Sequence, residues 1–243
     1  MNVYSAIKKI LFSAFLSGVL TQASNASVIL IGTRIIYPEN KQFVSLNFRS
    51  PDNVPSVIDM WVSKEPEPVA SKNDAPFITT PSIFRIDPNK GQTVKLVYTG
   101  NKPVSNRESV YYLNFAQMPA SEKNANNLLV TYKSTVKIFY RPANLTQNID
   151  DIASYLEVDL SKVSSGVVTV VNNSEYHVNP VSLKLERNGK KILSVPGERL
   201  MMIAPFSRKD IKVTPINNVN GVLSSVGLIN DLGGVSTYKI NTL

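Results

Sequence analysis

The chain is 243 residues long, with 26 lysines and arginines against 18 acids, one histidine and no cysteine. The missing cysteines exclude a disulfide scaffold, and a lone histidine excludes a zinc or copper site built from clustered His and Cys. A formal net charge of +8 suits anionic partners, but the cations are scattered and no basic run interleaves with aromatics, so nucleic acid is not an expected partner.

Taken in chain order, Lys8 and Lys9 supply a charged start and Ile10 to Leu20 an uncharged, mostly apolar run. Ser24-Asn25-Ala26 offers small residues at the positions a signal peptidase reads. Residues 1–26 therefore read as a cleavable secretory signal. The apolar run is about eleven residues, short of the ~20 needed to cross a bilayer. No later stretch is long and apolar enough to span, so no integral membrane segment is expected. Removing the signal takes Lys8 and Lys9 with it and leaves about 217 residues at a net charge of +6.

That length fits one large β domain or two of about 100 residues. Apolar residues alternate with polar ones at Val44, Leu46 and Phe48, at Val94, Leu96 and Tyr98, and at Tyr111, Leu113 and Phe115. The pattern returns at Val181, Leu183 and Leu185 and at Tyr238 and Ile240. This is the period of half-buried strands. Turn formers separate the runs: Pro51-Asp52-Asn53, Asp87-Pro88-Asn89-Lys90-Gly91 and Leu232-Gly233-Gly234. Arg187-Asn188-Gly189-Lys190 predicts a two-residue hairpin turn, because Asn-Gly tolerates positive φ. Short strands with regular turns predict an all-β fold.

A joint is expected near Arg141-Pro142-Ala143-Asn144-Leu145-Thr146-Gln147, where proline ends a strand and polar residues follow. Each side then approaches the length of one immunoglobulin-like sandwich. The expected organisation is a signal at 1–26 and two immunoglobulin-like β-sandwich domains in tandem, at 27–143 and 148–243.

The chemical inventory points away from catalysis. His177 has no triad arrangement around it and reads as a half-exposed strand or turn residue. Glu65 and Glu67 sit in a proline-rich loop as solvated charge, and Gly233-Gly234 reads as a turn, not a phosphate cradle. No enzyme activity, metal or cofactor is expected.

Leu128 to Tyr140 reads as one strand of thirteen residues, well above the usual five or six. Leu128, Val130, Tyr132, Val136, Ile138 and Tyr140 share one face, interrupted by Ser134. Thr131, Lys133, Thr135 and Lys137 lie on the other. An open edge on such a strand would template other strands.

Thr135-Val136-Lys137-Ile138-Phe139-Tyr140-Arg141-Pro142 strongly resembles the signature of the periplasmic chaperones of chaperone–usher pilus assembly. Further pieces match in order. They are Gly32-Thr33-Arg34-Ile35-Ile36-Tyr37-Pro38, then Phe77-Ile78-Thr79-Thr80-Pro81 with Phe84-Arg85-Ile86. Arg107-Glu108-Ser109 with Tyr112-Leu113-Asn114 follows, and last Ile229-Asn230-Asp231-Leu232-Gly233-Gly234. The resemblance covers nearly all of residues 27–243.

It implies two immunoglobulin-like domains angled around a cleft, in a periplasmic protein that caps pilus (fimbrial) subunits by lending them an edge strand. By the same resemblance Leu128, Val130 and Tyr132 fill the subunit groove, and Arg34 and Lys137 hold the subunit's C-terminal carboxylate. Glu108, Arg141 and Asp231 form an interdomain ion network. An outer-membrane usher is the implied second partner, and the free protein is a candidate for self-association. The short connection from Ala116 to Asn127 resembles the short-loop subgroup of rod-like pili. The competing reading is an exported β-sandwich adhesin or carbohydrate-binding protein, which would need no cation pair in a cleft.

Overall fold

A computed structural model describes residues 27–66, 74–101, 103–120 and 130–243. The expected signal at 1–26 and Leu128 lie outside the described residues. Nine strands come first: β1 (Ile29–Leu30), β2 (Arg34–Pro38), β3 (Val44–Arg49), β4 (Ser56–Ser63), β5 (Phe77–Thr80), β6 (Ile83–Ile86), β7 (Gly91–Tyr98), β8 (Ser109–Pro119) and β9 (Tyr132–Arg141). They form two sheets, ordered β1-β3-β7-β5 and β2-β9-β8-β4-β6. Leu46, Phe48, Val94 and Leu96 from one sheet and Ile58, Leu113, Phe115 and Ile138 from the other are buried in a common core. The alternation read from the sequence thus becomes an inner apolar face on each sheet.

Seven strands follow the joint: β10 (Leu156–Asp159), β11 (Val167–Asn172), β12 (Pro180–Arg187), β13 (Lys190–Pro196), β14 (Ser207–Lys212), β15 (Val222–Ile229) and β16 (Val235–Thr242). They make one curled sheet, ordered β13-β12-β15-β16-β10-β11-β14, around a second core that includes Leu156, Val168, Leu183, Leu185 and Val226. The β12–β13 turn is the predicted hairpin. Asn188 and Gly189 have φ of 52° and 72°, and Arg187 pairs with Lys190. The whole is two immunoglobulin-like sandwiches in tandem.

β9 departs from its expected extent. It starts at Tyr132, so Val130 and Thr131 lie outside the strand rather than in a thirteen-residue run. The apolar face loses its core here, although β8 itself runs on to Pro119. Pairing with β8 stops at Tyr132 opposite Gln117, and the apolar face runs off the sandwich. Ile138 and Tyr140 are buried, whereas Tyr132 is 52 % and Val130 45 % exposed.

β9 also has two different edges. Toward β8 it is paired from Tyr132 to Tyr140. Toward β2 it is paired, in parallel, only from Lys137 to Arg141, where Arg34 lies opposite Lys137 and Pro38 opposite Arg141. β2 begins at Arg34, so its pairing does not extend alongside the segment from Tyr132 to Val136. Tyr37 locks the paired half: its ring stacks on Tyr140 at 5.9 Å, and its hydroxyl donates to the carbonyls of Lys41 and Gln42 and accepts from the Tyr98 amide.

Candidate functional site

Two groups of charged side chains meet where the sandwiches join. The first centres on Arg141, the last residue of β9. Its guanidinium donates to Glu108 Oε1 from Nη2 at 2.9 Å and Nε at 3.2 Å. It also reaches both carboxylate oxygens of Asp231, at 2.7 and 3.1 Å. Glu108 comes from the turn before β8 and Asp231 from the turn after β15, so one cation ties acids from both sandwiches. The Arg141 guanidinium also lies 5.0 Å from the centre of the Tyr176 ring. Burial works against the Arg141 charge, but the hydrogen bond to Asp231 and the charges of Glu108 and Asp231 outweigh it and raise its pKa.

The structure enlarges this group beyond the three residues expected. His177 is not half-exposed: its side chain is 7 % exposed. Its Nδ1 lies 3.1 Å from Glu108 Oε2, which also accepts the His177 backbone amide at 2.9 Å. Glu108 is buried, and four contacts satisfy both its oxygens. Two backbone links accompany it. The Glu108 amide donates to the Glu175 carbonyl, and the Glu175 carboxylate accepts the amides of Thr146 and Gln147 in the linker. Burial raises the Glu175 pKa, but the bonds from Gln147 and Thr146 prevail and hold it below the usual carboxylate range. A lone histidine and an acid two residues before it carry no sequence pattern that distinguishes them from surface residues, so neither was legible.

The second group is a cation pair. Arg34 opens β2 and is the Cα partner of Lys137 on β9. Arg34 Nη1 donates to the Ile229 carbonyl of the second sandwich at 3.0 Å, and its guanidinium lies 5.5 Å from the centre of the Phe139 ring. Among the described residues neither cation has a carboxylate within salt-bridge distance. Burial lowers the Arg34 pKa, with Asp231 and Glu108 partly opposing it. Burial and then the charge of Arg34 lower that of Lys137. Two partly buried like charges side by side are a costly arrangement that an arriving anion relieves.

The turn from Asn230 to Gly234 holds the second sandwich against this pair. Asn230 Oδ1 accepts the amides of Leu232 and Gly234, which leaves Leu232 projecting at 94 % exposure. Gly233, at φ +83°, packs directly on Thr33, and a Cβ there would collide with the Thr33 hydroxyl. The open half of β9 therefore leads to a floor made by Thr33, Arg34 and this turn.

Residues 27–146 match the family described as pili and flagellar-assembly chaperone, PapD N-terminal domain, and residues 151–240 match pili assembly chaperone PapD, C-terminal domain. The chain belongs to the pili-assembly chaperone family.

Among its curated relatives, the probable fimbrial chaperone YadV of Escherichia coli K12 is 32 % identical over 88 % of this chain and 89 % of its own. The chaperone protein FimB/FhaD of Bordetella pertussis is 28 % identical over 90 % of both. The crystal structure of YadV superposes with a TM-score of 0.72 at 29 % identity, covering 88 % of this chain and all of that one. The Pseudomonas aeruginosa CupB2 chaperone gives 0.72 at 26 %, again over 88 % of this chain and all of its own. Among the described residues of this chaperone no helix is long and apolar enough to cross a membrane.

The sequence-predicted residues fall into three sets. Glu108, Arg141 and Asp231 are in contact. Arg34 and Lys137 are register neighbours. Val130 and Tyr132 are exposed at the open end of β9, while Leu128 lies outside the described residues.

Proposed function

We propose that this protein is a periplasmic chaperone that caps pilus subunits by donating β9 and passes them to an outer-membrane usher. The observation that carries the reading is the half-open edge of β9, which ends at two cations that have no carboxylate within salt-bridge distance among the described residues. The β9 edge that β2 does not cover, from Tyr132 to Val136, can accept an added strand. β2 occupies the same edge from Arg34 onward, so the added strand must stop there.

A chain whose carboxylate ends between Arg34 and Lys137 runs toward Lys137, and hence parallel to β9. Charge-assisted bonds of about 1.5–3 kcal/mol each would fix its register, which a period-two strand cannot do by itself. Leu128, Val130 and Tyr132 then enter the subunit's groove. Burying each is worth roughly 1.5–3 kcal/mol before ordering costs.

The names of the relatives support pilus subunits as the cargo, and the signal at 1–26 supports the periplasm. The work is done by binding alone, without ATP, cofactor or catalytic group. The units are 27–143 and 148–243, and the Glu108–Arg141–Asp231 network sets the angle between them. An adhesin would have no use for a cation pair at the end of an open strand.

The test is co-expression with the cognate subunit. The double variant Arg34→Ala, Lys137→Ala is expected to fold with an unchanged circular dichroism spectrum and to lose the one-to-one complex. Wild-type yield of complex from that variant would overturn the anchoring role.

A further inference from the structure

A cavity of about 320 Å³ opens on the second-domain side of Arg34, lined among others by Ile152, Asn179, Leu228, Leu232 and Tyr238. Its wall also carries the carboxylates of Asp150 and Asp231. Asn179 is nine-tenths buried. Its Nδ2 and the Nε of Arg34 are buried donors without a hydrogen-bond partner among the described residues. A buried donor left unpaired costs about 1–3 kcal/mol, a cost that an acceptor reaching either atom would remove. The remaining wall mixes aliphatic side chains and Tyr238 with polar ones such as His177, Asn230 and Ser236, and Leu232 stands at its rim with almost its whole side chain in solvent.

We propose that this cavity receives the side chain of the bound subunit's C-terminal residue, and selects one that is large, mainly apolar and able to accept a hydrogen bond at its tip. This rests on the reading that Arg34 and Lys137 hold the terminal carboxylate. Charge complementarity brings the last residue to Arg34, and Arg34 is itself part of the cavity wall. The contact of Gly233 with Thr33 sets the Leu232 rim at the point where β2 closes the slot. The carboxylate and the side chain of one residue thus meet two faces of one arginine. The cation pair reads that a chain ends, and the cavity reads what it ends with.

The test uses a short labelled peptide of alternating Thr and Val with Tyr, Phe or Gly as its last residue, and the Tyr-ended peptide as its carboxamide, titrated by fluorescence polarisation. The Tyr-ended acid is expected to bind about tenfold more tightly than the Gly-ended one, with Phe between them. Leu232→Ala, which removes the rim, and Ser236→Leu, which narrows the cavity, should each bring Tyr toward Gly. Equal binding of the three acids, with the carboxamide still weaker, would overturn the side-chain site and leave the carboxylate anchor standing. A carboxamide that binds as well as the acid, or no binding by any peptide, would overturn the anchor and this inference with it.

Discussion

Arg141 carries the joint because it is the one cation among the described residues that touches carboxylates from both sandwiches. Its partner Glu108 has a side chain only 2 % exposed, whereas Arg141 keeps 18 %. Arg141→Ala leaves that buried acid with His177 alone. The expected loss is about 3 kcal/mol, at the low end for breaking a buried pair because of the exposure Arg141 retains. It should appear as a lower thermal midpoint and a broader distance distribution in small-angle scattering, and an unchanged profile would count against a role in setting the cleft.

Glu175 gives a pH signature at the same scale. Its carboxyl is held below the ordinary range, so its contribution is fully present above that range and is lost as pH falls through the lowered value. Glu175→Gln should therefore flatten the acid limb of the stability curve, measured by thermal melts below neutrality. The Arg141 set was legible in the sequence because it lies inside recognisable runs. Glu175 and His177 were not, since their roles come from a backbone turn that no local pattern announces.

At the scale of the strand, β9 contrasts with the two edges of the curled sheet. The curled sheet ends in β13 and β14, which carry Lys190, Lys191, Arg208, Lys209 and Lys212. Charge of this kind discourages edge-to-edge pairing. The open end of β9 presents Val130 and Tyr132 instead, both about half exposed. Val130→Asp is expected to abolish capping of the subunit while shifting stability by no more than about 0.5 kcal/mol, as for other exposed positions. Complex formation measured by size-exclusion chromatography decides it, and a retained complex would remove Val130 from the groove.

The alternation of the β9 residues was visible in the sequence, but its end was not. Periodicity records which residues share a face, whereas strand length depends on where pairing and the core stop.

For the whole molecule, two sandwiches were legible because each buries its own alternating residues and the break at Pro142 separates them. Their relation was not, since it rests on contacts between residues far apart in the chain, such as Arg34 with the Ile229 carbonyl, 195 positions away. That relation makes the slot: β9 offers an edge, β2 closes it, and the Asn230–Gly234 turn walls its end.

Residue-resolved hydrogen exchange on the free chaperone and on its complex with a pilus subunit tests this most directly. Between Tyr132 and Val136, the alternate amides not bonded to β8 should exchange rapidly in the free protein and become strongly protected in the complex. A stable complex in which those amides exchange as fast as before, with protection elsewhere, would contradict strand donation by β9.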